Sequence, residues 1–171
     1  MIAKNAKYNL LVKQYKNHIY RYALYMLKDR MDADDAAQEV LIKLWQNMGK
    51  FNMGSAKPWI YRTTHNLCID YIRKRRPLYQ IDEEFNEAYK SDEVKSDPFL
   101  TTHLKMMTAK IKEMIKMLPE NLRSVFVLYE IEGLKYKEIS ETLEIPINTV
   151  KVQLLRARKK LQEELRNYER N

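Results

Sequence analysis

Residues 136–160, YKEISETLEIPINTVKVQLLRARKK, leave this chain little choice of local structure. Ile139 and Leu143 stand one helical turn apart, so a helix over Tyr136–Leu143 would carry both on its inner face. Glu144-Ile145-Pro146 interrupts that period, because proline disfavours helical backbone in the residue before it. Beyond the break Ile147, Val150, Leu154, Ala157, Leu161 and Leu165 recur at steps of three or four, which predicts a second helix from Ile147 toward Tyr168. Its other face carries Asn148, Val152, Leu155 and Lys159, flanked by Lys151, Arg156 and Arg158. An amphipathic helix with cationic flanks, presented by a helix before it, suits the major groove of DNA. An ordinary αα-hairpin with a solvated charged face is the alternative, and the helix-turn-helix is the better match to the pattern.

The rest of the chain points the same way. Glycine occurs only three times and β-branched alternation is scarce, so the chain reads as all-α. There are 31 Lys and Arg against 23 Asp and Glu, a net charge of +8, which favours a polyanionic partner: nucleic acid or an anionic membrane surface. No run of about 18 apolar residues is present to span a bilayer, and the opening MIAKNAKYNL lacks the apolar core of a signal peptide. Cys68 is the single cysteine, so no internal disulfide can form and a reducing compartment fits. A soluble, cytoplasmic protein without membrane insertion is expected.

Charge divides the chain into a basic block over 1–77, an acidic stretch over 78–105 and a mildly basic block over 106–171. The middle, containing LYQIDEEFNEAYKSDEVKSDPF, has no sustained apolar period and includes a Ser-Asp-Pro breaker. Two small helical domains joined by a flexible acidic linker are therefore expected, the second domain holding the helix-turn-helix. In the first block, one helix is predicted over about 5–28 with Leu11, Tyr15, Ile19, Tyr22 and Met26 on one stripe. A second helix, capped by Asp32, should reach about Met48. A loop follows over Lys50–Lys57, and Pro58 suits the first turn of a third helix that ends near Arg76. In the last block, helices at about 104–117 and 120–131 precede the helix-turn-helix, with Pro119 opening the second.

Two helices carry more than a core stripe. The second has Ala37, Val40, Leu44 and Met48 on one side and Ile42 and Trp45 on another, aligned with Asp35 and Gln38. A second apolar stripe beside acidic and amide groups fits a docking surface for a partner. It fits equally a Trp45 that simply covers the first helix. The third helix points Ile60, Leu67 and Tyr71 one way, and Arg62, Asn66, Ile69, Arg73 and Arg76 the other. Cations on one face with Phe51, Trp59 and Tyr61 nearby suit nucleic acid, including single strands with unstacked bases. A solvated basic helix end is the plainer reading, since cations favour helix C-termini. The loop residues Asn52, Gly54 and Ser55 are able to contact an exposed base.

Catalytic and metal signals are weak. His18, His65 and His103 lack ligand spacing, and Asp32, Asp34 and Asp35 lack the glycine and distal glutamate of a calcium loop. No phosphate-cradling glycine loop or nucleophile–base pattern is present. Cys68 reads as a small packed hydrophobe. Neither an enzyme nor a cofactor is expected.

Taken in order, ADDAAQEVLIKLW, KPWIYRTTHNLCIDYIRKRR and LPENLRSVFVLYEIEGLKYKEISETLEIPINTVKVQLLRARKKL resemble the extracytoplasmic-function (ECF) sigma factors of bacterial RNA polymerase. The likeness covers nearly the whole chain outside the middle stretch. It implies a region 2-like domain over 1–77, which binds core RNA polymerase and opens the −10 element, and a region 4-like domain over 106–171, which reads the −35 element. The polymerase-contact positions it implies are Asp35, Gln38, Glu39, Leu41 and Trp45. The −10 recognition loop falls at Phe51–Lys57, including Asn52 and Ser55, and the strand-opening helix at Pro58–Arg76, including Arg62, Asn66, Arg73 and Arg76. The −35 contacts fall on Asn148, Lys151, Val152, Gln153, Leu155 and Arg156. An anti-sigma protein and promoter DNA are the further partners implied. The chain departs from the family pattern at Glu144, where glycine is usual in the turn, at Lys135, where a capping Ser or Thr is common, and at Val152 and Leu155, where polar residues are frequent. A helix-turn-helix regulator that is no polymerase subunit is the alternative function.

Overall fold

Tyr22 to Leu27 are six consecutive buried residues, more than one face of a helix can hide against a single neighbour. They end the first helix, α1 (Ile2–Leu27), and they are enclosed because helices from both halves of the chain pack around that end. The structure is a computed structural model and describes residues 2–75 and 98–171, with side chains from residue 101 onward in the second span. Its regular elements are all helical: α2 (Arg30–Asn47), a 3₁₀ turn (Met53–Ser55), α3 (Ala56–Arg75), α4 (Pro98–Lys116), α5 (Glu120–Phe126), a π-helical segment (Val127–Ile131), α6 (Tyr136–Leu143) and α7 (Ile147–Arg170). The expected linker lies in part outside the described residues, at 78–97. Its last part, from Pro98, is already the first turn of α4, so that helix starts about a turn and a half before the predicted position.

The first group of helices, α1–α3, packs on the stripes that the periodicity marks. Leu11, Ile19, Tyr22 and Met26 of α1 meet Ala37, Val40, Leu44 and Met48 of α2 and Ile60 and Leu67 of α3. The α1–α2 connection is only two residues long. Lys28 takes the left-handed conformation with φ 60°, and its N–H bonds Leu24 O. Asp29, not the expected Asp32, caps α2: its side chain accepts the Asp32 N–H at 2.8 Å. The tight turn leaves extended backbone at Asp29, which a cap requires. Asp32 then falls in the first turn, where its charge opposes the helix dipole and pairs with Arg75 of α3.

The C-terminus of α1 is closed by two guanidinium groups. Arg75 Nη1 donates to Leu27 O at 2.9 Å, and Arg123 of α5 donates to Met26 O at 3.2 Å through Nη2. Arg123 also donates to Lys116 O and Leu118 O through Nη1, at 3.1 and 2.8 Å. One buried cation thereby satisfies carbonyls at the ends of α1 and α4, groups that no helix can bond internally.

In the second group Pro119 stands at the N-cap of α5 and Pro146 at that of α7. Between α6 and α7, Glu144 adopts φ 56° and ψ 45°, the left-handed conformation where glycine is most at ease. Ser140 steadies the turn by donating its hydroxyl to Ile145 O at 2.5 Å, while its carbonyl accepts the Ile145 N–H. Lys135 at the start of α6 offers no side-chain acceptor. The cap is made from the other direction, with Glu138 Oε1 accepting the Lys135 N–H at 3.0 Å. Ile139, Val150, Leu154, Ala157 and Leu161 are buried as predicted, but Ile147 is 40 % exposed because α7 begins there, at the rim of the core. Ile131 ends the π-helical segment, and Gly133 follows at φ 72°, a helix-terminating conformation that suits glycine.

Candidate nucleic-acid interface

Three surfaces gather the residues singled out in the sequence. On α2, Asp35, Gln38 and Trp45 are exposed, with Glu39 half-buried beside them and Ile42 57 % exposed in their midst. Leu41 sits at the edge of this stripe, packed against the core, and its carbonyl accepts a hydrogen bond from Tyr8 at 3.1 Å. Trp45 combines both readings of its position. Its ring meets Tyr8 of α1 edge-on at 5.1 Å and lies under the Lys4 ammonium at 4.1 Å, yet 37 % of the residue stays open to solvent. A Trp held by an aromatic neighbour loses little further freedom when a partner covers it, which suits an interface anchor.

The second surface is the loop before α3 and the outer face of α3. Phe51 stacks on Trp59 at 5.4 Å. Asn52 and Ser55 are exposed but bonded to each other: Asn52 Oδ1 accepts the Ser55 N–H at 3.0 Å and its hydroxyl at 3.1 Å, which holds the 3₁₀ turn closed. Arg62, Asn66 and Arg73 form one exposed stripe, while Arg76 lies outside the described residues. Arg62 is engaged: its Nη2 donates to Glu141 O of α6 at 2.7 Å. Tyr61, expected beside the cations as a stacking aromatic, is instead buried and donates its hydroxyl to Glu132 Oε2 at 2.9 Å. It lies on the inner side of α3, one helical step from the Arg62 stripe. Burial and the neighbouring Glu132 carboxylate push its hydroxyl pKa well up.

The third surface is the outer face of α7. Asn148, Lys151, Val152, Leu155 and Arg156 are exposed and contiguous, and Gln153 is half-buried at the flank. Val152 and Leu155 are 44 % and 67 % exposed with no internal packing role, so these apolar groups are free to meet base edges or thymine methyls. Arg158, expected among the cationic flanks, pairs with Glu130 instead, its Nε donating to Oε1 at 2.9 Å with the guanidinium over the Tyr129 ring. Lys151 and Arg156 make no such ion pair among the described residues.

A fourth cluster has no signature in the sequence. The Glu132 carboxylate, fully shielded from solvent, is held by Arg21 Nε at 2.8 Å, His18 Nδ1 at 2.7 Å and the Tyr61 hydroxyl. Beside it Lys57 pairs with Glu138 at 3.0 Å. Burial raises the Glu138 pKa, but the Lys135 N–H and the Lys57 ammonium outweigh it and hold the carboxyl below its usual range. These bonds join residues more than 70 positions apart and dock the second helical group on the first. Deeper in the first group, Tyr22 and His65 share a 2.8 Å hydrogen bond, and burial lowers the His65 pKa to about 4. Cys68 is buried, with its thiol pushed up to about 12 by desolvation, so it is inert packing. Among the described residues, no helix is long and apolar enough to cross a membrane.

Comparison with known proteins adds two family matches, Sigma-70 region 2 over residues 11–77 and Sigma-70 region 4 over residues 108–161. The ECF RNA polymerase sigma factor SigW of Bacillus subtilis is 33 % identical over 167 residues, covering 92 % of this chain and 88 % of its own. The RNA polymerase sigma-H factor of Pseudomonas aeruginosa is 31 % identical over 165 residues, covering 92 % and 86 %. Two solved structures share the fold: the sigma factor RpoE bound to the anti-sigma factor NepR from Bartonella quintana, and CnrH bound to the cytosolic domain of CnrY. The first has a TM-score of 0.75 at 22 % identity and covers 92 % of this chain and 96 % of its own. The second has a TM-score of 0.68 at 20 % identity and covers 94 % and 88 %.

Proposed function

The chain belongs to the ECF sigma factors, alternative sigma factors that direct transcription initiation, and from that membership we propose how its three surfaces divide the work. The chain falls into a region 2-like domain over 1–77, a linker over 78–105 and a region 4-like domain over 106–171. The α2 stripe of Asp35, Gln38, Glu39, Leu41 and Trp45 docks on core RNA polymerase. The loop residues Phe51, Asn52 and Ser55, with Arg62, Asn66, Arg73 and Arg76, engage the −10 element as its strands part. The α7 face reads the −35 element in duplex form through Asn148, Lys151, Val152, Gln153, Leu155 and Arg156. The protein works in the cytoplasm, performs no catalysis of its own, and is held in check by an anti-sigma partner.

The separation of the α2 stripe from the α3 stripe carries this reading: docking and strand opening are served by opposite sides of one three-helix group. Polymerase contact then needs an apolar anchor, whereas strand capture needs cations and stacking faces. Duplex reading by α7 divides further. Lys151 and Arg156 supply salt-dependent phosphate contacts that position the helix, and Val152 and Leu155 select sequence by shape and methyl contact.

Co-purification with core polymerase, followed by transcription from a selected promoter, tests the assignment. Trp45→Ala should weaken core binding by about 2 kcal/mol with helicity retained. Arg62→Ala with Arg73→Ala should leave core binding intact and reduce permanganate-reactive open complexes. A folded chain that binds promoter DNA but never associates with core would instead be a free-standing helix-turn-helix regulator.

A further inference from the structure

We infer that the docking of the second helical group on the first is an autoinhibitory latch, in which the clamped Glu132 carboxylate holds α6 over α3 and masks the strand-opening face of the free chain. The inference rests on the assignment of Arg62 to strand opening. Three observations carry it together. Glu132 is fully shielded, and its charge is met by Arg21 and His18 of α1 and Tyr61 of α3, all from the opposite helical group. Such a carboxylate is stable only while its partners stay in place, so it makes docking close to all-or-none. The second observation is what the docking covers. Arg62 donates to the Glu141 carbonyl, and Lys57, at the end of the recognition loop, pairs with Glu138, so two cations that would meet a DNA strand are occupied by α6. The third is what it leaves open. Asp35, Gln38 and Trp45 on α2 and Lys151, Leu155 and Arg156 on α7 are exposed in the same docked state.

The closed chain therefore presents its polymerase face and its duplex-reading face while withholding its single-strand face. Free single strands compete poorly for such a molecule, because apparent affinity falls with the fraction of chains that are open. Docking on a polymerase that separates the two groups would release Lys57 and Arg62 at the moment they are needed.

The test uses the full chain. Dyes on Asn5→Cys of α1 and Gln162→Cys of α7, both exposed positions, in a Cys68→Ala background report the spacing of the two groups by energy transfer. Anisotropy with a short single-stranded oligonucleotide of mixed sequence reports access to α3. Glu132→Ala should lower energy transfer and tighten oligonucleotide binding by about tenfold or more. Glu132→Gln keeps the shape and one acceptor, and should give a smaller change of the same sign if the alanine variant loses helicity. Arg62→Ala should remove most of the gain in the Glu132→Ala chain and alter little in the wild type, where the guanidinium is already taken. Unchanged energy transfer in a folded variant overturns the latch. So does lowered transfer without tighter binding, or a gain that survives Arg62→Ala. Any of these leaves the sigma-factor reading standing, since wild-type association with core polymerase is measured separately.

Discussion

Replacing Arg123 by methionine tests whether a buried cation at the meeting point of α1, α4 and α5 holds the molecule together. Its guanidinium makes three bonds to carbonyls, at Lys116, Leu118 and Met26, while its Nε has no partner. Bonds from a charged donor contribute about 1.5–3 kcal/mol each. Against that stands the cost of burying the cation, several kcal/mol, which is also why its pKa is lowered. Methionine fills similar volume and recovers that cost but leaves three carbonyls unbonded, so Arg123→Met should lose about 2–4 kcal/mol. Lysine keeps the charge without the planar fork and should lose about half as much. Urea titration supplies the measurement, followed by far-ultraviolet circular dichroism for all helices and by tryptophan fluorescence for the first group, which holds both Trp45 and Trp59. Because Met26 belongs to one group and Lys116 to the other, the two transitions should also separate in Arg123→Met. Coincident midpoints, unmoved from wild type, would show that desolvation cancels the hydrogen bonds and refute the reasoning.

Acidification should destabilise the first group through His65. Its folded pKa of about 4 lies below the unfolded 6.5, so the stability it confers is complete above pH 6.5 and is lost as the pH falls toward 4. The span corresponds to about 3 kcal/mol, and His65→Gln should flatten that part of a pH–stability curve. Glu144→Gly should raise the melting temperature by a few degrees, equivalent to about 1 kcal/mol, by relieving a left-handed residue with a side chain; a lower melting temperature would count against strain there. Leu154→Ala should cost about 2–5 kcal/mol in denaturant titration, whereas its neighbour Leu155→Ala should cost under about 0.5 kcal/mol and shift the sequences recovered from a random duplex pool. Lys151→Ala should lower the salt dependence of duplex binding by about one unit of slope without changing those sequences.

Local chemistry is what the sequence made legible. The stripes on α1, α2 and α7 follow from apolar spacing alone, and Pro119 and Pro146 stand at helix starts where their missing N–H groups do no harm. Asp29 was harder to see as a cap because Asp32 has equal intrinsic claim, and only the left-handed Lys28 decides between them. The exposed positions on α2, α3 and α7 were readable for the same reason as the core, being the complement of the buried stripes. Glu132, Arg123 and His18 were not. Their roles depend on partners roughly a hundred residues away, and Glu132 beside Gly133 looks like an ordinary solvated helix end. Tyr61 was misplaced for a related cause: an aromatic next to Arg62 suggests stacking until the buried acid opposite it is known.

The π-helical segment adds a consequence about length. Within it the Glu132 N–H reaches back five residues to Val127 O at 2.9 Å instead of four, so the turn contains one residue more than an α-helix would use. A single deletion anywhere in Val127–Ile131 would let α5 run on with ordinary spacing and swing every later residue by about 100° around the axis. The carboxylate that now points inward at Arg21 and Tyr61 would face water, although no side chain in the segment had been altered. Point substitutions on the outer side of this turn should therefore be tolerated where loss of one residue is not, and the phase of the chain at this turn, more than its composition, sets where its second half comes to rest.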